Sequence, residues 1–408
     1  MRTDKSEWLC FQLGSREHYS IPRVLNEQKI LSHFITDTWI IPNSPLNLLP
    51  HKFCTSLRER FHHELATASI SSFNNNLFWF EIQQKIRRKS GWNKIISRNQ
   101  LFQEQCLNFL RKLEYKYFQD ITIFSYSYTA LEIFRWAKKR GWRTILGQID
   151  PGIYEEKIVK QECYKYPQYS NNWQPAPSQY WKNWQQECDL ADTIVVNSQW
   201  SEQALQKVGI SQDKIKVIPL AYAPAKAASE FVRTYPKSFN SKRPLKVLFL
   251  GQIILRKGIA QIVQAIELLA KESIEFWLVG SVGVNLPNHI TNNGRVKLFG
   301  KVSRSQTAHY YQQADIFLFP TLSDGFGLTQ LEAQAWGLPI IASKFCGEVV
   351  KDEVNGLILP ELTGESIAKS LQRCLHNPEI LNIFAGKSLS RVTDFDLSEL
   401  KIKIQHIT

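Results

Sequence analysis

The sequence predicts an α/β protein made of two doubly wound, parallel-sheet domains facing a central cleft. Short apolar runs alternate with segments of helical spacing in both halves of the 408 residues, the rhythm of strands that cross over through helices into a parallel sheet. That rhythm stops at 224–244, which carries three prolines with several small and basic residues and reads as a linker. In the second half, glycines stand directly behind successive strand-like runs, on the edge where open sheets of this kind bind ligands. The expected domains are therefore 1–223 and 245–408, with the last helices crossing back to the first.

At 47.3 kDa and 43% hydrophobic residues the chain is long enough to bury two cores. It has no apolar run of membrane-spanning length, and its start, MRTDKSEWLCFQLG, lacks the apolar core of a signal peptide. A cytoplasmic protein is expected. Seven cysteines without a CxxC spacing read as reduced, mostly buried thiols. The net charge of +13 is uneven: residues 1–240 hold 32 Lys and Arg against 22 Asp and Glu, leaving 18 against 15 for the remainder. A basic first half suits an anionic lipid surface or an acidic polymer, or simply a solvated surface.

In the first half, strands are expected at 8–13 and 34–41, with the loop GSREHYSIPR and a helical stretch between them. Residues 42–118 read as mostly helical, on the spacing of Phe102, Cys106, Phe109, Leu110 and Leu113. Within them Lys85, Arg87, Arg88, Lys89, Lys94 and Arg98 are interleaved with Phe78, Trp79, Phe80 and Trp92. That is the composition of an interfacial membrane helix at the inner face, or of a solvated helix packed on its other side. Regular alternation follows: strand 121–126, helix 129–139, strand 143–149, an irregular or helical section to residue 189, strand 193–197, helix 200–208 and strand 215–220.

The second half restarts with strand 245–251, helix 258–271, strands 275–280 and 296–299, helix 304–313 and a last sheet strand at 356–359. Its central stretch, 315–343, reads DIFLFPTLSDGFGLTQLEAQAWGLPIIAS. The run 316–319 suits a buried strand, 320–327 a loop, and 328–336 a helix stopped by Gly337 and Pro339. A strand, a glycine turn and a helix leave the N–H groups of Gly327, Leu328 and Thr329 free at a helix start, a place that binds phosphate. Asp324 before that helix and Glu332 one turn inside it can flank one ligand. Two further loops share this edge: Gly251, followed by Arg256 and Lys257, a fork and a point charge for a diphosphate, and GSVG with Gly280. Each has an ordinary structural explanation as a surface pair or a turn; their common edge is what joins them.

Taken in order, LKVLFLG...RKG (245–258), FWLVG (276–280), VKLFGKV (296–302), the stretch YYQQADIFLFPTLSDGFGLTQLEAQAWGLPIIAS (310–343) and VNGLILP (354–360) resemble family 4 of the retaining glycosyltransferases. These enzymes have two Rossmann-like domains in the GT-B architecture. Residues 191–222, ADTIVVNSQWS...LQKVGI...KIKVIPLAY, are similar to the segment that closes the family's first domain. The resemblance implies a nucleoside diphosphate sugar, UDP or GDP, on the second domain. A polysaccharide, lipid-linked or small glycan acceptor would sit on the first. It places Lys257, with the N–H groups at Gly327, Leu328 and Thr329, on the diphosphate, Glu332 on the ribose, and the backbone at Lys301 and Val302 on the base. Gly325 and Phe326 would belong to the same loop. Asp324 stands where the family has the first glutamate of its E-x7-E pattern and would face the donor sugar. The Gly14 loop, with Arg16 and His18, would close from the other side.

Transfer from such a donor builds negative charge on the leaving phosphate, so fixed cations there act mainly in the transition state. Asp324, Lys257, Arg256 and Asp150 are the candidate catalytic residues. No DxD-like pair follows a strand where it can hold a divalent ion, so metal-independent transfer without a cofactor is expected, and no nucleic acid as partner. Three departures stand out: Gln252 where many members have Arg, Asp324 for the usual glutamate, and Gln148 or Asp150 near where a histidine is common. A nucleotide-sugar epimerase or phosphorylase on the same fold, or a non-catalytic transferase-like binding protein, are the competing readings.

Overall fold

The computed structural model describes residues 7–42, 44, 60–87, 90–113, 120–170 and 173–407, without the Lys85 side chain. Two parallel sheets organise them. The first holds β1 (Glu7–Gln12), β2 (Leu31–Thr36), β3 (Ile70–Ser72), β4 (Ile121–Tyr126), β5 (Arg143–Gln148), β6 (Thr193–Val196) and β7 (Ile215–Val217), in the order β3-β2-β1-β4-β5-β6-β7. The second holds β8 (Leu245–Leu250), β9 (Ile274–Val279), β10 (Val296–Gly300), β11 (Ile316–Phe319), β12 (Ile340–Ala342) and β13 (Gly356–Ile358), in the order β10-β9-β8-β11-β12-β13. Winding reverses between β1 and β4 and again between β8 and β11, which opens a crevice at the carboxyl ends of those strands.

The sequence forms these sheets because its strands are apolar on both faces. Along β1, Leu9 and Phe11 join one hydrophobic cluster while Trp8 and Cys10 join the cluster on the opposite face. Along β8, Val247 and Phe249 point into one cluster and Leu248 into the other. The helix Leu397–Gln405 sends Leu400 and Ile404 into the cluster of Trp8, Tyr19 and Phe34, so the end of the chain packs on the first sheet. The six described cysteines are free, and all but Cys163 are buried; Cys54 lies outside the described residues.

Several expected elements change. The strand expected over 34–41 ends at Thr36, because the buried Asp37 must meet polar partners: it accepts from Gly14 N at 2.9 Å and is paired with Arg60 and Arg98. The region 42–118 does contain the long helices Asn74–Ile86 and Gly91–Leu113, but also the edge strand β3; 45–59 and 114–119 lie outside the described residues. The section from 150 to 189 forms two helices, Ile153–Lys165 and Ser178–Leu190. β12 is an additional strand, and β7 stops at Val217.

The basic aromatic stretch 78–98 is divided between two helices. Phe78 and Trp79 are exposed, yet Lys94 is paired with Glu81, Arg98 with Asp37, and the Trp92 indole donates to Gln174 O at 3.0 Å. Arg88 and Lys89 lie outside the described residues. Among the described residues no helix is long and apolar enough to cross a membrane.

The stretch 224–244 is fastened to the second sheet. Arg233 donates to the carbonyls of Tyr311, Ala314 and Trp336, two of which stand at the end of the helix Arg304–Gln313, where a cation is favoured. Tyr235 donates to Asp315 O at 2.9 Å, and Arg243 grips the Asp315 carboxylate with two bonds of 2.7 Å.

At the carboxyl edge of the second sheet, the backbones behind β8 and β9 almost touch. Gly280 has φ +147, and a Cβ there would lie 1.8 Å from Gly251 O. Gly280→Ala should lower stability by at least the ~1–3 kcal/mol typical of overpacking, read as a lower urea midpoint at unchanged m-value. An unchanged midpoint would contradict the close approach.

Candidate active site

The two sheets point their carboxyl edges at each other, and loops from both edges touch. Gly325, behind β11, packs so closely on the end of β5 that a Cβ there would lie 2.1 Å from Ile149 O. Its carbonyl accepts from Ser198 Oγ, behind β6, at 2.7 Å, and Trp200 Nε1 donates to Ser323 Oγ at 3.1 Å. A glycine is required at 325 because a backbone from the other half occupies the space of its side chain.

A cluster of opposite charges lies largely buried at this seam, its side chains 14–24% exposed. Lys257 Nζ donates to Asp324 Oδ2, and Arg256 donates to Ser323 O at 2.9 Å while standing 3.4 Å from Glu155 and 4.0 Å from Asp324. Burial raises the Asp324 carboxyl, but Lys257 and Arg256 outweigh it and hold the group below its ordinary range. Burial lowers the Lys257 ammonium against the opposing pull of Asp324. The Arg256 guanidinium, which burial would lower, is held up by Glu155, Asp324 and Asp150. Burial pushes Glu155 up to about 7, with Asp150 and Asp324 adding to the rise and Arg256 opposing it.

Beside this cluster the helix Thr329–Ala335 starts from Leu328 without a side-chain cap, so no capping side chain takes up the N–H groups at its start. Glu332 in its first turn accepts from Tyr311 OH at 2.9 Å and stands 3.8 Å from Arg304. Arg304 reaches across the cleft and its guanidinium meets the His18 ring at Nε2. Burial, then the cations Arg304 and Arg23, lower His18 to about 3, so a neutral imidazole accepts from the guanidinium.

The Gly14 loop that carries His18 is tightly folded. Gly14 has φ +88, Gln12 Nε2 donates to the carbonyls of Gly14 and Arg16, and Glu17, His18 and Tyr19 are all left-handed. Arg16 is exposed. Glu17 turns inward, where Tyr126 OH donates to it at 3.0 Å; burial raises its carboxyl.

Of the candidates behind β5, Gln148 is committed internally: Trp184 Nε1 donates to its Oε1 at 2.9 Å, and its Nε2 donates to Asp150. Asp150 lies at the seam, where its Oδ1 accepts from Tyr128 OH at 2.5 Å and from Gly152 N at 2.9 Å.

The structure thus brings together Lys257, Arg256, Asp324, Asp150 and the backbone at Gly325, while Glu332 meets Tyr311 and Arg304 from the helix into which the backbone of Gly327, Leu328 and Thr329 leads. Gly251 and Gly280 contribute close-packed backbone at the same edge. The Phe326 side chain is 2% exposed and packs with Leu331, Val349 and Phe395, which leaves its backbone alone to meet a ligand. Lys301 and Val302 lie behind β10; Val302 packs on the core and Lys301 is exposed.

Sequence reasoning missed Arg304, Tyr311 and Glu155. Arg304 and Glu155 each follow a strand by only a few residues at the carboxyl edge, which is the signal that marks them. Tyr311 has no such sign. Among the described residues no three His, Cys, Asp or Glu side chains are grouped as a metal ion would require.

Residues 244–377 match the family model for glycosyl transferases group 1. The chain is 28% identical over 191 residues to a D-inositol 3-phosphate glycosyltransferase of Xylanimonas cellulosilytica, covering 41% of this chain and 45% of that protein. It is 26% identical over 220 residues to the N,N'-diacetylbacillosaminyl-diphospho-undecaprenol alpha-1,3-N-acetylgalactosaminyltransferase of Campylobacter jejuni, covering 51% and 57%. The chain spans about half the length of the curated relatives it matches. The crystal structure of Anabaena HepE with UDP and glucose shares 15% identity over 99% of both chains, with a TM-score of 0.63. The two facing sheets are therefore the GT-B fold of glycosyltransferases, and residues 244–377 carry the likeness to glycosyl transferases group 1.

Proposed function

We propose that this protein is a glycosyltransferase that moves a sugar from a UDP or GDP donor to a hydroxyl of a glycan acceptor, with retention of configuration and without a metal. The observation that carries the reading is the largely buried Lys257, Arg256 and Asp324 cluster beside an uncapped helix start, on the edge facing the other sheet. The family match of the segment that builds it supports the same reading, as do the sugar-transferring relatives and a structural neighbour that holds UDP and glucose.

In this reading the donor's diphosphate meets Lys257 and the N–H groups of Gly327, Leu328 and Thr329, and Glu332 accepts from the ribose. Lys257 exchanges its Asp324 partner for phosphate, which frees that carboxylate for the sugar hydroxyls. As the bond between the sugar's anomeric carbon and the β-phosphate oxygen breaks, Lys257 and Arg256 stabilise the charge left on phosphate. The acceptor oxygen bonds to the same carbon on the same face and passes its proton to the departing phosphate. Retention rests on the resemblance of 310–343 to retaining enzymes. The exposed Phe78 and Trp79 support contact with a lipid surface at the cytoplasmic face.

Millimolar UDP or GDP, and the matching nucleotide sugars, should raise Tm; no shift with any of them would remove the support for a donor site. Nucleoside diphosphate should be released only with acceptor present, which separates transfer from epimerisation. Lys257→Ala and Glu332→Gln should each lower kcat/KM by roughly 10²–10³-fold, as loss of a preorganised electrostatic contact does. The first also strands Asp324, so its Tm is read alongside, and unchanged kinetics in both would refute the site. A chelator should leave the rate intact, and a loss restored by Mg²⁺ would overturn the metal-free reading.

His18 has a folded-state value below its unfolded one, so the stability it contributes is present above about 6.5 and is lost as the pH falls toward about 3. His18→Gln should therefore show a shallower fall of Tm over that window than the parent chain. Identical pH profiles would contradict a partly buried neutral imidazole.

A further inference from the structure

Three donors converge on one oxygen of Asp150. Its Oδ1 accepts from Tyr128 OH at 2.5 Å, from Gly152 N at 2.9 Å and from Gln148 Nε2 at 3.1 Å. Among the described residues Oδ2 accepts from none, and Asp150 borders the cavity between the halves together with Arg256. A carboxylate held by one oxygen presents the other in a fixed direction.

All three donors are backed by a single element, the helix Ser178–Leu190. Trp184 Nε1 donates to Gln148 Oε1 at 2.9 Å, which leaves the Nε2 end of that amide for Asp150. The same indole packs on Gly152, where φ is +62 and a Cβ would lie 2.6 Å from the ring, so glycine is needed to bring its N–H to Oδ1. Tyr180 stacks on the Tyr128 ring with centroids 4.9 Å apart, and Glu187 holds the Tyr128 backbone.

Glu187 is buried, and no step of the proposed transfer uses it. Its Oε1 accepts from Ala130 N at 2.8 Å and from Leu131 N at 3.1 Å, at the start of the helix Leu131–Lys138. That is a cap supplied by a distant element. Capping does not account for Oε2, which accepts from Tyr128 N at 2.6 Å, ahead of the helix. Tyr128 has φ +73, a left-handed conformation that a bulky residue keeps only when its surroundings hold it. The Oε2 bond therefore fixes the backbone whose side chain carries a hydroxyl to Asp150.

We propose that Glu187 is a positioning residue for sugar transfer, fixing through Tyr128 the direction in which Asp150 presents Oδ2 to the cleft. The proposal rests on the transferase reading, in which Asp150 takes part in the reaction.

Glu187→Gln separates the two duties, since its Oε1 can keep the cap while Nε2 sets a donor against the Tyr128 N–H. NMR of the full chain, with its tyrosines isotopically labelled at Cζ, reads the relay without turnover. The Tyr128 signal, identified by its loss in Tyr128→Phe, should shift in Asp150→Asn and in Glu187→Gln; a signal unmoved in Glu187→Gln overturns the proposal. Cleavage of UDP-glucose and GDP-mannose reads the consequence. Glu187→Gln and Tyr128→Phe should each lower kcat about tenfold or more with donor KM within about threefold, and the double variant should fall no further than the slower single one, because both act through one carboxylate. Losses that multiply in the double variant would leave Glu187 a structural cap. Should Glu187→Gln fold poorly, Tyr128→Phe decides alone, and an unchanged kcat there counts against the relay. If neither donor is cleaved, the NMR shift decides the positioning. A shifted Tyr128 signal with neither UDP nor GDP raising Tm sinks the transferase reading and leaves the relay standing; a nucleotide shift with kcat unchanged in both variants does the reverse.

Discussion

Everything at the seam depends on charges that have been taken largely out of water together. Lys257, Arg256, Asp324 and Glu155 lie between two apolar sheets, and each is tolerable there only because the others are present. Removing one partner of a buried pair typically costs on the order of 3–5 kcal/mol, since it leaves an uncompensated charge behind. In the proposed reading the same arrangement prepares the site: cations already largely desolvated and held by carboxylates would turn to an incoming phosphate with little water left to shed.

The second half of the site was legible in the sequence because its parts are local. Strand, glycine and helix follow one another within 316–335, and backbone geometry places Asp324 and Glu332 from their spacing alone. The rest of the site was harder to read because its contacts are not local. Tyr311 reaches Glu332 and Arg304 reaches His18 only through the packing of elements distant in the chain. Likewise, no period in 173–184 announces that Tyr180 packs on Trp92 and Tyr128, which lie about fifty to ninety positions earlier.

Where the strand expected over 34–41 fell short, a buried carboxylate was the reason. Asp37 belongs to no apolar alternation, and its ties to Gly14 N, Arg60 and Arg98 turn the chain out of the sheet while fixing the loop that carries His18. The apolar period announces where strands begin. It is silent on where a polar anchor ends them, because that depends on partners 23 and 61 residues away. The stretch 224–244 shows the converse: composition marked it as a connection, but Arg233 and Arg243 bind it to carbonyls and a carboxylate of the second half.

The end of the chain returns to the first sheet through Leu400 and Ile404, and just before it does so, Phe395 O accepts from Tyr222 N at 2.8 Å. The two places where the polypeptide passes between the halves are therefore bonded side by side. Mechanically this is a two-ply strap: a single tether would let one half swivel, whereas a doubled one confines relative movement mainly to rotation about the strap. Such a rotation would part His18 from Arg304, whose contact spans the two halves, and in the transferase reading it is the movement that opens the cleft to the proposed donor.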